Sequence, residues 1–521
     1  MSRLPYVPGF AKPDARGPAP KAVGKALRER APRSGHGRFT PDAGRPDAVT
    51  MVEESNAGRL PELTRIRVGR MAADPFAFFR GSAGLMAYDL TSTPVTGIGA
   101  QICGDAHAAN FGLYGDARGK LVMDLNDFDE TLYGPWEWDL KRLAASLVLA
   151  GREAGASEEQ CREAARDAVG AYRRTMRLLA GMPAADAWNA IADERLVSHT
   201  DARDLLGTLE RVVEKARRNT SARFAAKSTE EIPGGGRKFV DAPPVLRRIP
   251  DAEAAAVAAS LTDYLDTLPE DRLPLLARYE VQDVAFRVVG TGSVGLRSYV
   301  VLLLDHRGEP LVLQVKEARS SALAPYAAKA GFPTPAVPHE GRRIVLGQRR
   351  MQVVSDSLLG WTTVHEPGAR SAVSTPPRAD HSRERPAADG SPGAGGLTEA
   401  GGPVGTGGPT RGDGPTGAAG AAGAGRPFQV RQFRNRKGSV DPTALAGDQI
   451  DDYARMTGAL LARAHAHSAD PRVVAGYCGK GEALDEALAA FAVAYADRTE
   501  ADHAELVAAI RSGRIAGETG V

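Results

Sequence analysis

The chain has 521 residues, a formal net charge of +2, and 25% charged residues against 43% hydrophobic ones. That length calls for two or three lobes rather than one small core, and the near-neutral balance gives no electrostatic case for a nucleic-acid or acidic-membrane partner. Three cysteines, Cys103, Cys161 and Cys478, lie far apart without zinc-ligand spacing, which argues against a disulfide framework and for a reducing compartment.

Residues 1 to about 45 are rich in Pro, Gly, Arg and Ala with no sustained periodicity, and read as a disordered basic arm. They contain no continuous apolar run of the kind a secretory signal needs. The runs Leu143–Ala150 and Tyr299–Leu304 are too short to span a bilayer. A cytoplasmic protein without a membrane partner is therefore expected. Residues 46–270 read as a mostly helical lobe that carries two short strand-like runs between residues 101 and 130. The spacing of Leu140, Leu143, Leu147 and Ala150 predicts a helix from Asp139 to about Ala150. Ser157-Glu158-Glu159-Gln160 has the form of a capping box and opens a helix to about Leu179. Asp251 starts an Ala-rich helix reaching about Leu268.

The period then changes. Val284–Val289, Arg297–Leu304 and Pro310–Glu317 are short β-branched runs, the last two separated by a turn signal, and they define a β-rich lobe over residues 271–366. Residues 367–427 are Gly- and Pro-rich, too poor in apolar area to offset their ordering entropy, and read as a disordered insertion. Arg411-Gly412-Asp413 is a chance tripeptide in such composition. From 428 to 521 the pattern is helical again, in two or three amphipathic segments between Asp451 and about Ile515.

Most of the chemistry is concentrated in residues 101–130, which hold Asp105, His107, Asn110, Asp124, Asp127, Asp129 and Glu130. Crowded carboxylates cost free energy unless a cation or a proton compensates them. An oxygen-rich set without thiols suits Mg2+ or Mn2+. The plain alternative is a solvated acidic turn before a capped helix. A second segment, residues 286–318, reads as strand, glycine turn, strand, tight turn, strand. Gly290, Gly292 and Gly295, with Ser293 between them, leave backbone N–H groups free to approach phosphate oxygens, and Lys316 on the third strand can reach the same phosphates. The plain alternative here is a hairpin with a surface lysine.

Gly104-Asp105-Ala106-His107-Ala108-Ala109-Asn110 resembles, position for position, the GDxHxxN-like catalytic loop of the protein-kinase-like superfamily, in particular its aminoglycoside phosphotransferase and choline kinase branch. Asp127-Phe128 resembles the acidic-aromatic metal motif that follows, and Asp139-Leu140 the Asp-Leu pair about a dozen residues further on. The resemblance implies an α+β, two-lobed fold that binds ATP and Mg2+. Asp105 would be the catalytic base, Asn110 and Asp127 the metal ligands, and Asp139 the anchor of the loop. Asp124, which ends the strand directly, competes with Asp127 for the metal. In kinases the glycine loop and lysine precede the catalytic loop; here they follow it by nearly two hundred residues. The resemblance thus implies a circularly permuted order, with the helical catalytic lobe first, the small β lobe later and a helical C-terminal part. The helix glutamate that pairs with the strand lysine in kinases is not placed: Glu317 faces the opposite side of the strand, which leaves Glu340 as a candidate.

Read as a whole, the chain also resembles the bacterial domain of unknown function 2252 family. The resemblance is carried by Arg80-Gly81-Ser82, the runs Cys103–Gly112 and Asn126–Ser146, the GTGSVG turn, Gln314–Ala318, Arg431–Arg434, Lys437–Ser439 and Ala462–Ala466. The expected activity is ATP- and Mg2+-dependent phosphoryl transfer to a small-molecule hydroxyl or amine, because the interval from Asp127 to Asp139 is too short for a protein-kinase activation segment. The rivals are a non-catalytic nucleotide-binding regulator, an adenylyltransferase on the same fold, and a metal-dependent hydrolase without nucleotide. Arg80 would meet either a phosphate or a site carboxylate, and Trp136 and Trp138 read as core. His465 and His467, two residues apart on a helix, cannot form a metal pair.

Overall fold

The computed structural model describes residues 19–192, 203–233, 235–288, 292–366 and 425–518. Its first element corrects the reading of a disordered arm. Helix α1 (Pro20–Arg30) begins at a proline whose fixed φ suits a first helical turn. Arg28 donates to the carbonyls of Gly476 and Tyr477 at 2.6 and 2.8 Å, and Arg33 to that of Cys478 at 2.8 Å. These basic side chains satisfy carbonyls at the end of a later helix that would otherwise lack partners. Composition concealed the helix because it is held by such polar contacts and by close backbone approach at Gly24, where a Cβ would stand 2.0 Å from the Val473 carbonyl oxygen. Residues 1–18 lie outside the described residues.

Four helices follow, α2 (Ala48–Asn56), α3 (Pro61–Met71), α4 (Pro75–Gly81) and α5 (Ala83–Leu90). Then come four short strands, β1 (Gly99–Ile102), β2 (Phe111–Gly115), β3 (Leu121–Leu125) and β4 (Leu132–Pro135). β1 pairs with β4 and β2 with β3, all antiparallel. Helix α6 (Trp136–Glu153) is buried along almost its whole length. In α7 (Glu158–Ala180) the capping box is complete: Gln160 N–H donates to Ser157 Oγ, and Ser157 N–H to the Gln160 side chain. Helices α8 (Ala184–Ala192), α9 (Leu206–Arg217) and α10 (Ser221–Ser228) and the hairpin β5 (Thr229–Glu231) with β6 (Arg237–Phe239) complete this half.

The second half is a six-stranded antiparallel sheet. Its elements are β7 (Leu246–Arg248), α11 (Asp251–Leu265), α12 (Leu273–Leu276), β8 (Tyr279–Arg287), β9 (Ser298–Asp305), β10 (Pro310–Glu317), α13 (Ala324–Lys329), α14 (Glu340–Met351), β11 (Gly360–Val364) and β12 (Arg426–Gln432). The strand order is β11-β12-β10-β9-β8-β7. Alternation along β9 sends Tyr299, Val301 and Leu303 to one face, where Val257, Leu261 and Tyr264 of α11 cover them. Val300, Leu302 and Leu304 go to the other face, with Ala225 of α10 and Phe433. The sheet lobe thus starts near residue 246 rather than 271. A three-residue edge strand is too short to show a period, and a helix pattern alone does not say which sheet the helix will cover. β12 likewise belongs to the sheet and pairs with β11 in the register Val364↔Arg426, so the C-terminal helical part begins after it. The Gly/Pro-rich stretch between these strands, with Arg411–Asp413, lies outside the described residues except at its end.

After β13 (Gly438–Ser439), helices α15 (Gln449–Ala466), α16 (Pro471–Cys478) and α17 (Ala483–Arg511) return to pack on α6 and α7 in the largest core. α15 and α7 approach so closely that a Cβ on Gly458 would sit 2.0 Å from the Ala168 carbonyl oxygen. The three cysteines are free and buried. No helix among the described residues is long and apolar enough to cross a membrane.

Candidate functional site

The loop between β1 and β2 is held from below by α6. Asp139, in the helix's first turn, accepts from Cys103 N–H at 2.7 Å and Gly104 N–H at 2.9 Å. Its carboxylate also meets His465 Nε2 at 3.2 Å, and the other ring nitrogen of His465 lies 3.0 Å from the Tyr172 hydroxyl. Gly104 has φ +79°, and a Cβ there would stand 2.4 Å from the Glu130 carbonyl oxygen, so the turn demands glycine. Trp136 stacks on Tyr172 and both it and Trp138 are core residues.

The loop aims Asp105 into a cleft. Arg142, one turn beyond Asp139 on α6, donates from Nε to Asp105 Oδ1 at 2.5 Å and from Nη2 to the Phe79 carbonyl at 2.8 Å, with its guanidinium 4.2 Å from the Phe79 ring centre. Arg142 was not anticipated, although its i, i+3 spacing from Asp139 puts it on the same helix face. His107 Nε2 lies 3.8 Å from the second oxygen, Oδ2. Burial pushes the imidazole down to about 4, with Arg80 and Arg142 adding to the effect and Asp105 opposing it.

The sheet brings the other wall. Lys316 on β10 hydrogen-bonds Asp129 and lies 3.5 Å from Asp127 Oδ1. Asp129 also accepts from Ser293 Oγ at 3.2 Å and Gln429 Nε2 at 2.9 Å. The Lys316 side chain is 3% exposed and that of Asp127 is 49% exposed, so Asp127 is the carboxylate that fronts the cleft. Burial opposes its ionisation, but Lys316, Arg431 and Lys437 outweigh that and hold its carboxyl below the usual range. Lys437 was not singled out as a site residue. Burial, reinforced by Arg431 and Lys316 and opposed by Asp127, pushes its ammonium down to about 7.

Two cavities meet at this cluster. One of about 830 Å³ runs past His107 and Lys437 toward Lys215 and Arg223 on α9 and α10. The other, of about 310 Å³, is bounded by α2 to α5 and by Glu130 and Arg319. Both are lined by Arg80, Asp105, Asp127, Gly292 and Ser293. A third, of about 260 Å³, continues under the sheet past Lys316, Arg431 and Phe433.

The seven polar residues of 101–130 therefore do not form one metal cage. No group of three or more His, Cys, Asp or Glu side chains among the described residues is arranged to hold a metal ion. Asp124 is a correction: it is fully buried away from the cleft, 3.0 Å from Arg463, and accepts from Val353 N–H at 3.0 Å and Leu125 N–H at 2.9 Å. Asp124 lies within β3 and is turned into the interior, whereas Asp127 lies beyond the strand's end, in the loop that reaches the cleft. Asn110 is drawn into the backbone. Its Nδ2 donates to the carbonyls of Asp105 and Asp127, each at 2.9 Å, and its Oδ1 accepts from Asp127 N–H at 2.8 Å. Glu340 is not the partner of Lys316; it pairs with Arg343 at 2.5 Å and accepts from Ser320. Glu317 does face the other side of the strand, where it meets Arg297 at 3.4 Å. Gly295, at φ +89°, packs against Arg59 rather than lining a cavity, and Gly290 lies outside the described residues.

The bacterial family described as "uncharacterized protein conserved in bacteria (DUF2252)" matches residues 59–373 and 414–509, most of the chain. No curated protein and no solved structure matches it.

Proposed function

We propose that the chain, which belongs to the DUF2252 family of bacterial proteins, is an ATP- and Mg2+-dependent phosphotransferase acting on a small molecule. The observation that carries this reading is the approach of Lys316 to Asp127 across the cleft, at 3.5 Å, with Asp105 lining the same cavities. The sheet supports it. The glycine turn lies between β8 and β9, the lysine on β10, two helices, α13 and α14, between β10 and β11, and β12 inserts between those two strands. This connectivity accords with a kinase-like nucleotide lobe, and its place after the Asp105 loop accords with a permuted chain order.

In this reading Lys316, Lys437 and Arg431 screen the phosphate charge. Asp105 orients the acceptor hydroxyl through Oδ2 and takes up its proton, while Arg142 fixes the carboxylate through Oδ1. The residues suit Mg2+ as a nucleotide complex, since that ion commonly takes one or two protein carboxylates with phosphates and water completing its shell. Asp127 would hold it, with the Asn110 amide oxygen alongside. When bound, the ion would neutralise charge on the transferred group. The engagement of Asn110 Oδ1 by a backbone N–H favours, as a second reading, a regulator that binds nucleotide without turnover.

ATP labelled at the α- or the γ-phosphate, with Mg2+ and a mixture of hydroxyl-bearing metabolites, tests the proposal. Transfer of γ-label is expected. Transfer of α-label would point to adenylylation, and calorimetric binding without any transfer would leave the regulator.

A further inference from the structure

Buried arginines in this protein are generally matched by carboxylates. Arg45 meets Asp89 and Asp502, each at 2.6 Å; Arg173 meets Asp485 at 2.7 Å; Arg463 meets Asp124 at 3.0 Å. The wall of the smaller cavity departs from that pattern. Arg67, 2% exposed, donates only to neutral acceptors: Ser55 Oγ at 2.9 Å, Asn56 Oδ1 at 2.7 Å and the Gly81 carbonyl at 2.9 Å. Arg59 donates to the carbonyls of Ser55 and Val294, and Arg319 to that of Ala57. Arg80 and Arg67 each keep a buried Nε without an acceptor. None of these four guanidiniums pairs with a carboxylate among the described residues.

The cavity's own carboxylates are not paired with them: Glu130, Asp129 and Glu317 offset part of the charge on Arg59, and Glu130 part of that on Arg67, while exposed Glu54 also lines the cavity. Asp129 is taken by Lys316 and Glu317 by Arg297, while Glu130 accepts from Ala322 N–H. A buried guanidinium such as Arg67, hydrogen-bonded only to neutral groups, is costly to desolvate, and a bound anion reduces that cost. Planar guanidiniums also match an oxyanion in a bidentate manner. The volume of about 310 Å³ suits a molecule of a few carbons bearing one such group.

Building on the phosphotransferase reading, we infer that the smaller cavity is the acceptor site, and that the acceptor is a hydroxyl-bearing organic anion held through its carboxylate or phosphate by Arg59, Arg67, Arg80 and Arg319. Its hydroxyl then reaches Asp105 at the junction of the two cavities. A neutral polyol would leave the arginines unpaired, and an amine would add to the positive charge.

The test is calorimetry on the full-length protein saturated with a non-hydrolysable ATP analogue and Mg2+. The probes are glycerol 3-phosphate, glycerate, glycerol and ethanolamine. One or both anions are expected to bind, and which of them binds separates phosphate from carboxylate recognition. Arg80→Gln and partly exposed Arg319→Gln should each weaken that binding about tenfold or more, whereas Arg307→Gln, on the exposed turn between β9 and β10 and outside the cavity lining, should not. Glycerol or ethanolamine binding as tightly as the anions would overturn the inference. So would absence of anion binding, or anion affinity unchanged in both arginine variants. Separate titration with the ATP analogue keeps the two ideas apart. Loss of nucleotide binding alone sinks the phosphotransferase and leaves the anion site standing.

Discussion

Asp124 and Asp127 stand three positions apart and do opposite work. Asp127 fronts the cleft beside Lys316, and Asp124 neutralises Arg463 in the interior. Loss of a buried partner leaves an uncompensated charge, so Asp124→Ala should destabilise the fold by about 3–5 kcal/mol in denaturant titrations. Asp105→Asn should do the reverse. Its amide oxygen can still accept from Arg142, so the melting temperature should hardly move while turnover falls by about 10²–10⁴. Turnover that survives the substitution would remove Asp105 as base. His107 adds a pH dependence. Burial holds its folded pKa at about 4, below about 6.5 for an unfolded chain. Between those values the unfolded state binds the proton that the folded state refuses, so stability falls as pH falls through that window. From pH 7 to pH 5 the loss from this residue should be about 2 kcal/mol, and His36, held at about 3 by burial, adds in the same sense. The gap between unfolding free energies at the two pH values should narrow by about 2 kcal/mol in His107→Asn, the His36 part remaining; an unaltered gap would assign the effect elsewhere.

At the scale of elements, the site depends on how α6, α7 and α15 pack. α6 carries both Asp139 and Arg142, the two side chains that hold the Asp105 loop, and α15 delivers His465 to Asp139. The α7–α15 crossing needs a bare backbone at Gly458. Gly458→Ala forces the helices apart against a carbonyl oxygen and should cost about 1–3 kcal/mol by denaturant titration, despite the helix propensity that alanine adds. A neutral or stabilising result would mean the helices separate at no cost. The capping box of α7 and the strands β9 and β10 were legible because their signals are local: a cap motif and a period of two. The docking of α1 was not, because what holds it are carbonyls and a helix end more than four hundred residues away.

At the scale of the molecule, β11 and β12 pair in register from Val364 to Arg426, so about sixty residues enter and leave the sheet at adjacent points. Loop-closure entropy grows only as the logarithm of length. Replacing that connection with a four-residue turn should therefore preserve the fold and stabilise it by about 2 kcal/mol, read from the midpoint of denaturant unfolding. A large loss of stability would show that the segment contributes contacts of its own. The cleft follows from a different long-range pairing. β10 and the Asp127 loop lie nearly two hundred residues apart in the chain, and the sheet lobe sets Lys316 against Asp127 and Asp129.

Residue type, local spacing and period were enough to single out Asp105, Asp127, Ser293 and Lys316, which the fold gathers at one cleft, and to indicate a mixed α and β chain; the anchoring part of Asp139 was implied by the family resemblance. Those properties are written within a few positions of each residue. Which carboxylate fronts the cleft and which is buried, that Asn110 braces the backbone, that Asp129 rather than a helix glutamate takes the lysine, and that four arginines line one cavity without an ion-pair partner among the described residues were settled only in three dimensions. The reason is physical. A charged side chain is defined by the partner it finds, and in this protein the decisive partners come from elements far apart in sequence, brought together by core packing that local pattern does not encode.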